Sequence, residues 1–231
     1  MIRQIVFTAA TLLTATIAAS TASARDAPSR WTGDLANRID DRTIQCIVER
    51  DPNLIVSWFN TLPGSSQERK LFSRLEDQFI RCFRTNKSQM VDWVPQYDYA
   101  AMRVAILQFL LKSGSVAVPE SRPPGLDRAA WYATEGSIRP ESVVANDLGF
   151  CLAKSDWPAA RTVVLSSRGS VEEATALRTL VPLVGGCIPI GAKLRIDRPR
   201  LREILEETVY HAAGGATAGQ LSSASRPTKH R

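Results

Sequence analysis

Four cysteines constrain the fold of this chain most strongly, because they form two equally spaced pairs. Cys46 and Cys82 are 36 positions apart, and so are Cys151 and Cys187. A shift that places Cys46 on Cys151 also aligns residues that cap helices and form turns. The aligned pairs are Asp51 with Asp156, Gly64 with Gly169, Ser65 with Ser170, Glu68 with Glu173, Leu75 with Leu180 and Asp92 with Asp197. Matches at such positions favour an internal repeat over coincidence.

Both halves contain the same signals for the start of a helix. The motif Ser-x-x-Glu begins at Ser65 and at Ser170, where the hydroxyl can cap a backbone N–H and the Glu can reach back. Asp51 and Asp156 are each followed closely by proline, as in the first turn of a capped helix. Apolar residues recur at helical spacing around these signals, for example at Leu71, Phe72, Leu75 and Phe79, and at Leu177, Leu180, Val181 and Val184. The pattern predicts an all-α fold of two tandem units of about four short helices each.

The N-terminus is typical of a cleavable signal peptide. A short positive start is followed by an apolar run from Ile5 to Ala19 and by Ala22-Ser23-Ala24, which signal peptidase accepts. The run is too short and too rich in Thr and Ala for a convincing membrane span. From the cleavage pattern we predict a soluble mature chain that begins at Arg25 and is located in the periplasm or secreted. A retained signal anchor is the alternative.

Composition predicts where the linker and the C-terminal tail begin and end. Residues 113–140 contain several prolines and are predicted to link helical unit 1 (25–112) to helical unit 2 (141–213), after the signal peptide (1–24). Residues 214–231 are rich in Gly, Ser, Thr and Ala, with little apolar surface to offset the entropy of ordering. We predict that this tail is disordered.

An exported chain enters an oxidising compartment, where its cysteines can form disulfides. Four cysteines allow three pairings. Equivalent places in two units favour Cys46–Cys82 and Cys151–Cys187, since an ancestral unit with two cysteines could close only its own loop. The cross-unit pairings would require the units to dock with their cysteine ends together.

The second half resembles a known group in several short motifs. They are Cys151-Leu-Ala, Asp156-Trp-Pro-Ala-Ala, Gly169-Ser-x-Glu-Glu, Leu177-Arg-x-Leu-x-Pro, Cys187-Ile-Pro, and Pro199-x-Leu-Arg-x-x-Leu-x-Glu-x-x-Tyr. This pattern is similar to that of uncharacterised secreted proteins of alphaproteobacteria with a duplicated two-cysteine helical unit. The first half matches less well, with a longer loop from Lys87 to Tyr99. The resemblance implies export from a Gram-negative cell and assigns no functional residue.

Residues for catalysis are hard to find in the sequence. His211 is the one histidine outside the predicted tail and is expected to cap a helix C-terminus. The four cysteines are better explained as disulfides than as metal ligands, so no catalytic, cofactor-binding or metal-binding residue is nominated. The adjacent acidic pairs Asp40-Asp41, Glu172-Glu173 and Glu206-Glu207 fit capping or solvated helix faces. A muramidase-like hydrolase, the alternative function, would need a Glu buried in a cleft against an aromatic.

The charge balance narrows the expected partners. The chain carries 29 Lys and Arg against 23 Asp and Glu, spread without the basic stripe that nucleic-acid binding requires. Such residues are expected on solvated helix faces, and the mild excess attracts anionic surfaces. We therefore expect a non-enzymatic binding or interaction protein of the cell envelope, without a cofactor. Its partner would be an envelope protein or an anionic envelope surface, and the mature chain would have no membrane span.

Overall fold

Helices and their connections make up the described part of the chain, which is residues 39–86, 99–126, 140–192 and 194–223 of this computed structural model. The first half contains α1 (Asp41–Arg50), α2 (Pro52–Phe59), α3 (Ser66–Thr85) and α4 (Tyr99–Lys112). The second contains α5 (Pro140–Ser155), α6 (Trp157–Leu165), α7 (Val171–Leu180), a 3-10 turn (Val181–Leu183), α8 (Val184–Cys187) and α9 (Arg198–Ala212), followed by α10 (Ala218–Ser223). These residues include no strand, and the all-α prediction is confirmed. The predicted signal peptide lies outside them.

The helices begin where the capping residues predict. Asp51 accepts a hydrogen bond from the Leu54 N–H at 2.9 Å, and Asp156 accepts one from the Ala159 N–H at 3.0 Å. At α3, the Ser65 hydroxyl accepts from the Glu68 N–H at 3.0 Å. Glu68 reaches one residue further back than a standard capping box does and accepts from the Gly64 N–H.

The same capping arrangement occurs at α7. The Ser170 hydroxyl accepts from the Glu173 N–H, and Glu173 accepts from the Gly169 N–H. Gly64 and Gly169 have φ of 84° and 76°, a left-handed conformation that favours glycine. The glycine before each box is thus needed to turn the chain into its helix.

One disulfide closes each half, as predicted. Cys46 on α1 bonds to Cys82 on α3, and Cys151 on α5 bonds to Cys187 at the end of α8. The Cα atoms are 5.7 and 5.6 Å apart, within the normal range. In the chain-entropy account, a loop of this length stabilises the fold by about 3–4 kcal/mol.

The two halves share one hydrophobic core, and α9 packs against α4, α5 and α6. Trp58 and Trp157 are buried in it, whereas Trp93 and Trp131 lie outside the described residues. The described part of the linker joins this core through Val116 and Leu126. The division into two units stays a prediction.

The prediction of a disordered tail is wrong for residues 214–223. Leu221 on α10 is fully buried and Ala216 nearly so, and α10 packs against α1 and α2. The Tyr210 hydroxyl accepts a hydrogen bond from the Ala216 N–H at 3.0 Å, which holds the turn after α9. The low apolar content of the tail misled the prediction, because burial of Leu221 and Ala216 is enough to anchor this short segment. Residues 224–231 lie outside the described part.

Candidate functional site

Charged side chains lie inside the core along α9. Every residue from Leu201 to Ala212 is buried, including Arg202, Glu206, Glu207 and His211. The expectation of solvated faces is therefore wrong for Arg202 and for the pair Glu206-Glu207. The physical reason is that α9 is enclosed by helices of both halves, so that its polar side is covered as well as its apolar side.

Arg103 on α4 is the centre of the first buried polar cluster. Its guanidinium donates to the carbonyl oxygens of Phe59 and Thr61, at 2.8 and 3.0 Å, just where α2 ends. It also donates to Glu207 and lies 3.4 Å from a carboxylate oxygen of Glu68. One arginine thus joins the end of α2, the cap of α3 and α9.

Arg202 on α9 makes the equivalent contacts in the second half. It donates to the carbonyl oxygens of Val164 and Ser166, at 3.1 and 2.9 Å, where α6 ends. Its carboxylate partners are Glu173, in the capping box of α7, and Glu206, each at 2.6 Å. Each half therefore has a buried arginine on its last long helix, paired with its capping-box glutamate.

The two clusters meet between the halves. Glu206 and Glu207 diverge around α9, as neighbouring helical residues do. Glu207 accepts from Arg103 of the first half, and Glu206 accepts from Arg202 and, at 3.2 Å, from the Gln108 amide of the first half. These side chains form hydrogen bonds and ion pairs with one another, and these bonds hold α4 against α9.

Glu207 and His211 contact each other inside the core, one helical turn apart on α9. Burial alone raises the pKa of Glu207, but Arg103 and His211 outweigh it and lower that pKa to about 2. His211 Nε2 lies 3.1 Å from Glu207 Oε1, and the ring is buried in the core. His211 lies in the last turn of α9, the end of the helix at which it is expected to act as a cap.

A small cavity between the halves contains a glutamate of a different kind. Glu203 is 4% exposed, and one of its oxygens accepts from Arg200 at 3.1 Å. The other oxygen, Oε1, has no hydrogen-bond partner among the described residues. Burial raises the pKa of Glu203, Arg200 opposes the shift and Glu206 adds to it. Other lining residues include Glu68, Tyr99, Arg103, Asn146 and Glu207.

Glu203 is a buried glutamate in a cavity that Tyr99 also lines, which is the kind of residue that the hydrolase alternative requires, and sequence patterns did not identify it. The cavity volume is about 70 Å³. Ordered water needs about 10–15 Å³ of such space, whereas sites for small molecules span about 300–1,000 Å³. The cavity fits a few waters, and a saccharide unit does not fit.

Residues 181–190 form a partly exposed stretch on the surface of the second half, and we call them the apolar segment. Their sequence, Val-Pro-Leu-Val-Gly-Gly-Cys-Ile-Pro-Ile, contains no charged residue. Val181 is 53% exposed and Ile190 is fully exposed, while Leu183, Val184 and Ile188 are half-buried against the core. The disulfide at Cys187 fixes the segment to α5. Pro182 interrupts the helix after Leu180. Val181 therefore does not lie on the buried helix face that its spacing predicts.

The corresponding part of the first half has an ordinary polar surface. Residues 76–85, which precede the apolar segment by the same shift that relates the cysteines, lie within the uninterrupted helix α3. Their exposed side chains are Glu76, Asp77, Arg81, Arg84 and Thr85. The apolar exposure is therefore specific to the second half.

Basic residues flank the apolar segment. Arg178 precedes it by one helical turn, and Arg195 and Arg198 follow it, all three exposed. None of these three arginines takes part in an ion pair within the described part of the chain. The acidic residue nearby, Asp197, caps α9 by accepting from the Arg200 N–H at 2.9 Å.

The described residues contain no group of three or more His, Cys, Asp or Glu side chains that could hold a metal ion. Within them, too, no helix combines the length and hydropathy needed to cross a membrane. Comparisons of the chain with protein-family models, curated proteins and solved structures returned no match.

Proposed function

We propose that this chain is an exported, non-enzymatic binding protein of the cell envelope, and that it binds its partner through the apolar segment. The exposure of Val181 and Ile190 is the observation that carries the proposal. Exposed apolar patches rimmed by polar residues mark interaction surfaces. Residues 76–85 offer an internal comparison, because the same fold tolerates charged side chains there.

Export is supported by the two disulfides, which form in oxidising compartments. The signal-peptide pattern and the resemblance to secreted alphaproteobacterial proteins favour the same location, in the periplasm or outside the cell. The buried arginine in each half also favours an internal duplication. In that history one half kept a solvated surface and the other acquired a binding surface.

The test is binding of the purified, oxidised mature chain to the envelope fraction of its own cells. The double variant Val181→Glu, Ile190→Thr gives the apolar segment the residues found at positions 76 and 85. We expect it to lose most of the binding while its thermal unfolding is unchanged. The control is Val171→Glu, which replaces another exposed valine at the opposite end of α7 and should bind as the original chain does. Equal binding by all three proteins would refute the proposal.

A second candidate function, an envelope hydrolase using a Glu, is favoured by one observation. Glu203 combines burial, a raised pKa and an unpaired oxygen in a cavity shared with Tyr99. Such a carboxyl group could act as a general acid. Purified protein would have to hydrolyse peptidoglycan, and Glu203→Gln would have to abolish that hydrolysis while the protein stays folded. We rank this function second because the cavity is far smaller than a sugar-binding cleft.

A further inference from the structure

The chemistry of the apolar segment and of its surroundings identifies the kind of partner. We infer that the segment binds the anionic lipid surface of a membrane, with Val181 and Ile190 entering the boundary between headgroups and acyl chains and with Arg178, Arg195 and Arg198 meeting lipid phosphates. This inference rests on the proposed function and specifies its partner.

The sequence around the segment is predominantly basic. From Arg178 to Arg200, both included, it contains five Lys and Arg and one acidic residue, Asp197. Since Asp197 caps α9, its charge faces the backbone N–H groups at the start of that helix. An uncharged apolar stretch between basic flanks matches the layering of an anionic bilayer surface, where apolar side chains lie below the phosphates and basic ones lie among them.

The shape of the segment also favours a lipid surface. Gly185 and Gly186 have open space where a side chain would begin, with no atom within 4 Å. They therefore allow the segment to lie close to a flat surface.

The fold keeps the entropic cost of membrane insertion low, because the inserting segment is already ordered. The 3-10 turn and α8 are already ordered, and the Cys151–Cys187 disulfide fixes their end to α5. The segment therefore does not need to fold on the membrane, and little ordering entropy opposes binding.

Co-sedimentation with vesicles tests the inference on the full mature chain with both disulfides formed. The probes are phosphatidylcholine vesicles with and without phosphatidylglycerol. We expect binding to the phosphatidylglycerol vesicles and weak binding to phosphatidylcholine alone. Replacing one flanking arginine, by Arg195→Gln, should weaken binding about fivefold. Val181→Glu with Ile190→Thr should abolish it, and Val171→Glu should reduce it less than Arg195→Gln does.

Three outcomes would overturn the inference: no binding to either vesicle, equal binding to both, or undiminished binding by the Val181→Glu, Ile190→Thr variant. The envelope-fraction assay separates this failure from failure of the proposed function. If the variant fails to bind the envelope fraction although the original chain ignores vesicles, the segment binds a protein or glycan, and only the lipid inference is lost. If the variant binds the envelope fraction normally, both proposals fail.

Discussion

Arg103 on α4 donates two parallel hydrogen bonds to Glu207 on α9, from Nε to Oε2 at 2.9 Å and from Nη2 to Oε1 at 2.5 Å. Both side chains are buried, and they belong to opposite halves of the chain. Breaking a buried ion pair from one side leaves an uncompensated charge in the core. The pair is therefore one of the buried contacts that hold the two halves together.

We expect Glu207→Gln to lower the free energy of unfolding by about 3–5 kcal/mol, because Arg103 would lose the closer of its two carboxylate partners. Chemical denaturation at pH 7 measures this loss. The matched control is Glu76→Gln on the exposed face of α3, which should change stability by less than about 0.5 kcal/mol. Equal effects of the two substitutions would contradict a structural role for the pair.

The same glutamate makes stability depend on acid. The folded-state pKa of Glu207 lies near 2, below its ordinary value of 4.5. Its contribution is therefore complete above pH 4.5 and is lost as the pH falls from 4.5 toward 2. Unfolding measured across that range should show a steep loss in the original chain and a shallower one in Glu207→Gln.

Glu203 should make the stability of the protein depend on pH in the opposite direction. Its pKa is raised by burial, so the charged form at neutral pH costs folding free energy, and the cost disappears below its ordinary pKa of 4.5. We expect Glu203→Gln to stabilise the protein at pH 7 and to have little effect at pH 4. Destabilisation at pH 7 would mean that the Arg200 ion pair outweighs the cost of burial.

Gly149 on α5 permits a close approach to α9. A Cβ at this position would lie 2.2 Å from Thr208 Oγ1 and 2.8 Å from Ile204 Cγ2. Gly149→Ala should destabilise the protein by about 1–3 kcal/mol, since the helices would have to separate. Gly185→Ala is the control, because nothing lies within 4 Å there, and its melting temperature should match that of the original chain.

Substitution of Leu221 tests whether the segment after α9 is ordered. Its side chain is fully buried, so Leu221→Ala should cost about 2–4 kcal/mol, although a disordered tail would tolerate it. Leu165→Ala, at a site that is 39% exposed, should cost less. If removal of residues 214–231 leaves thermal stability unchanged, α10 does not anchor the chain.

Local interactions explain what the sequence could predict. The caps at Asp51, Ser65, Asp156 and Ser170 depend on residues within three positions, and the disulfide pairing follows from equal spacing. Both are readable without knowledge of tertiary packing.

The buried arginines could not be found in the same way. Arg103 and Arg202 are 99 positions apart, not the 105 that relate the cysteines, because Arg103 follows Cys82 by 21 positions whereas Arg202 follows Cys187 by 15. The shift that aligns the capping boxes therefore fails to align them. Their burial, and that of Glu203, depends on the packing of α9 between the halves, which no local pattern encodes.

Hydrogen–deuterium exchange tests the central claim most directly, because it locates the contact on the chain. The mature, oxidised protein is compared with and without vesicles that contain phosphatidylglycerol. We predict slower exchange in peptides that cover the apolar segment and no change in peptides from residues 76–85, the matching surface of the first half. Protection of residues 76–85 instead, or of neither region under conditions where the protein co-sediments, would contradict the account.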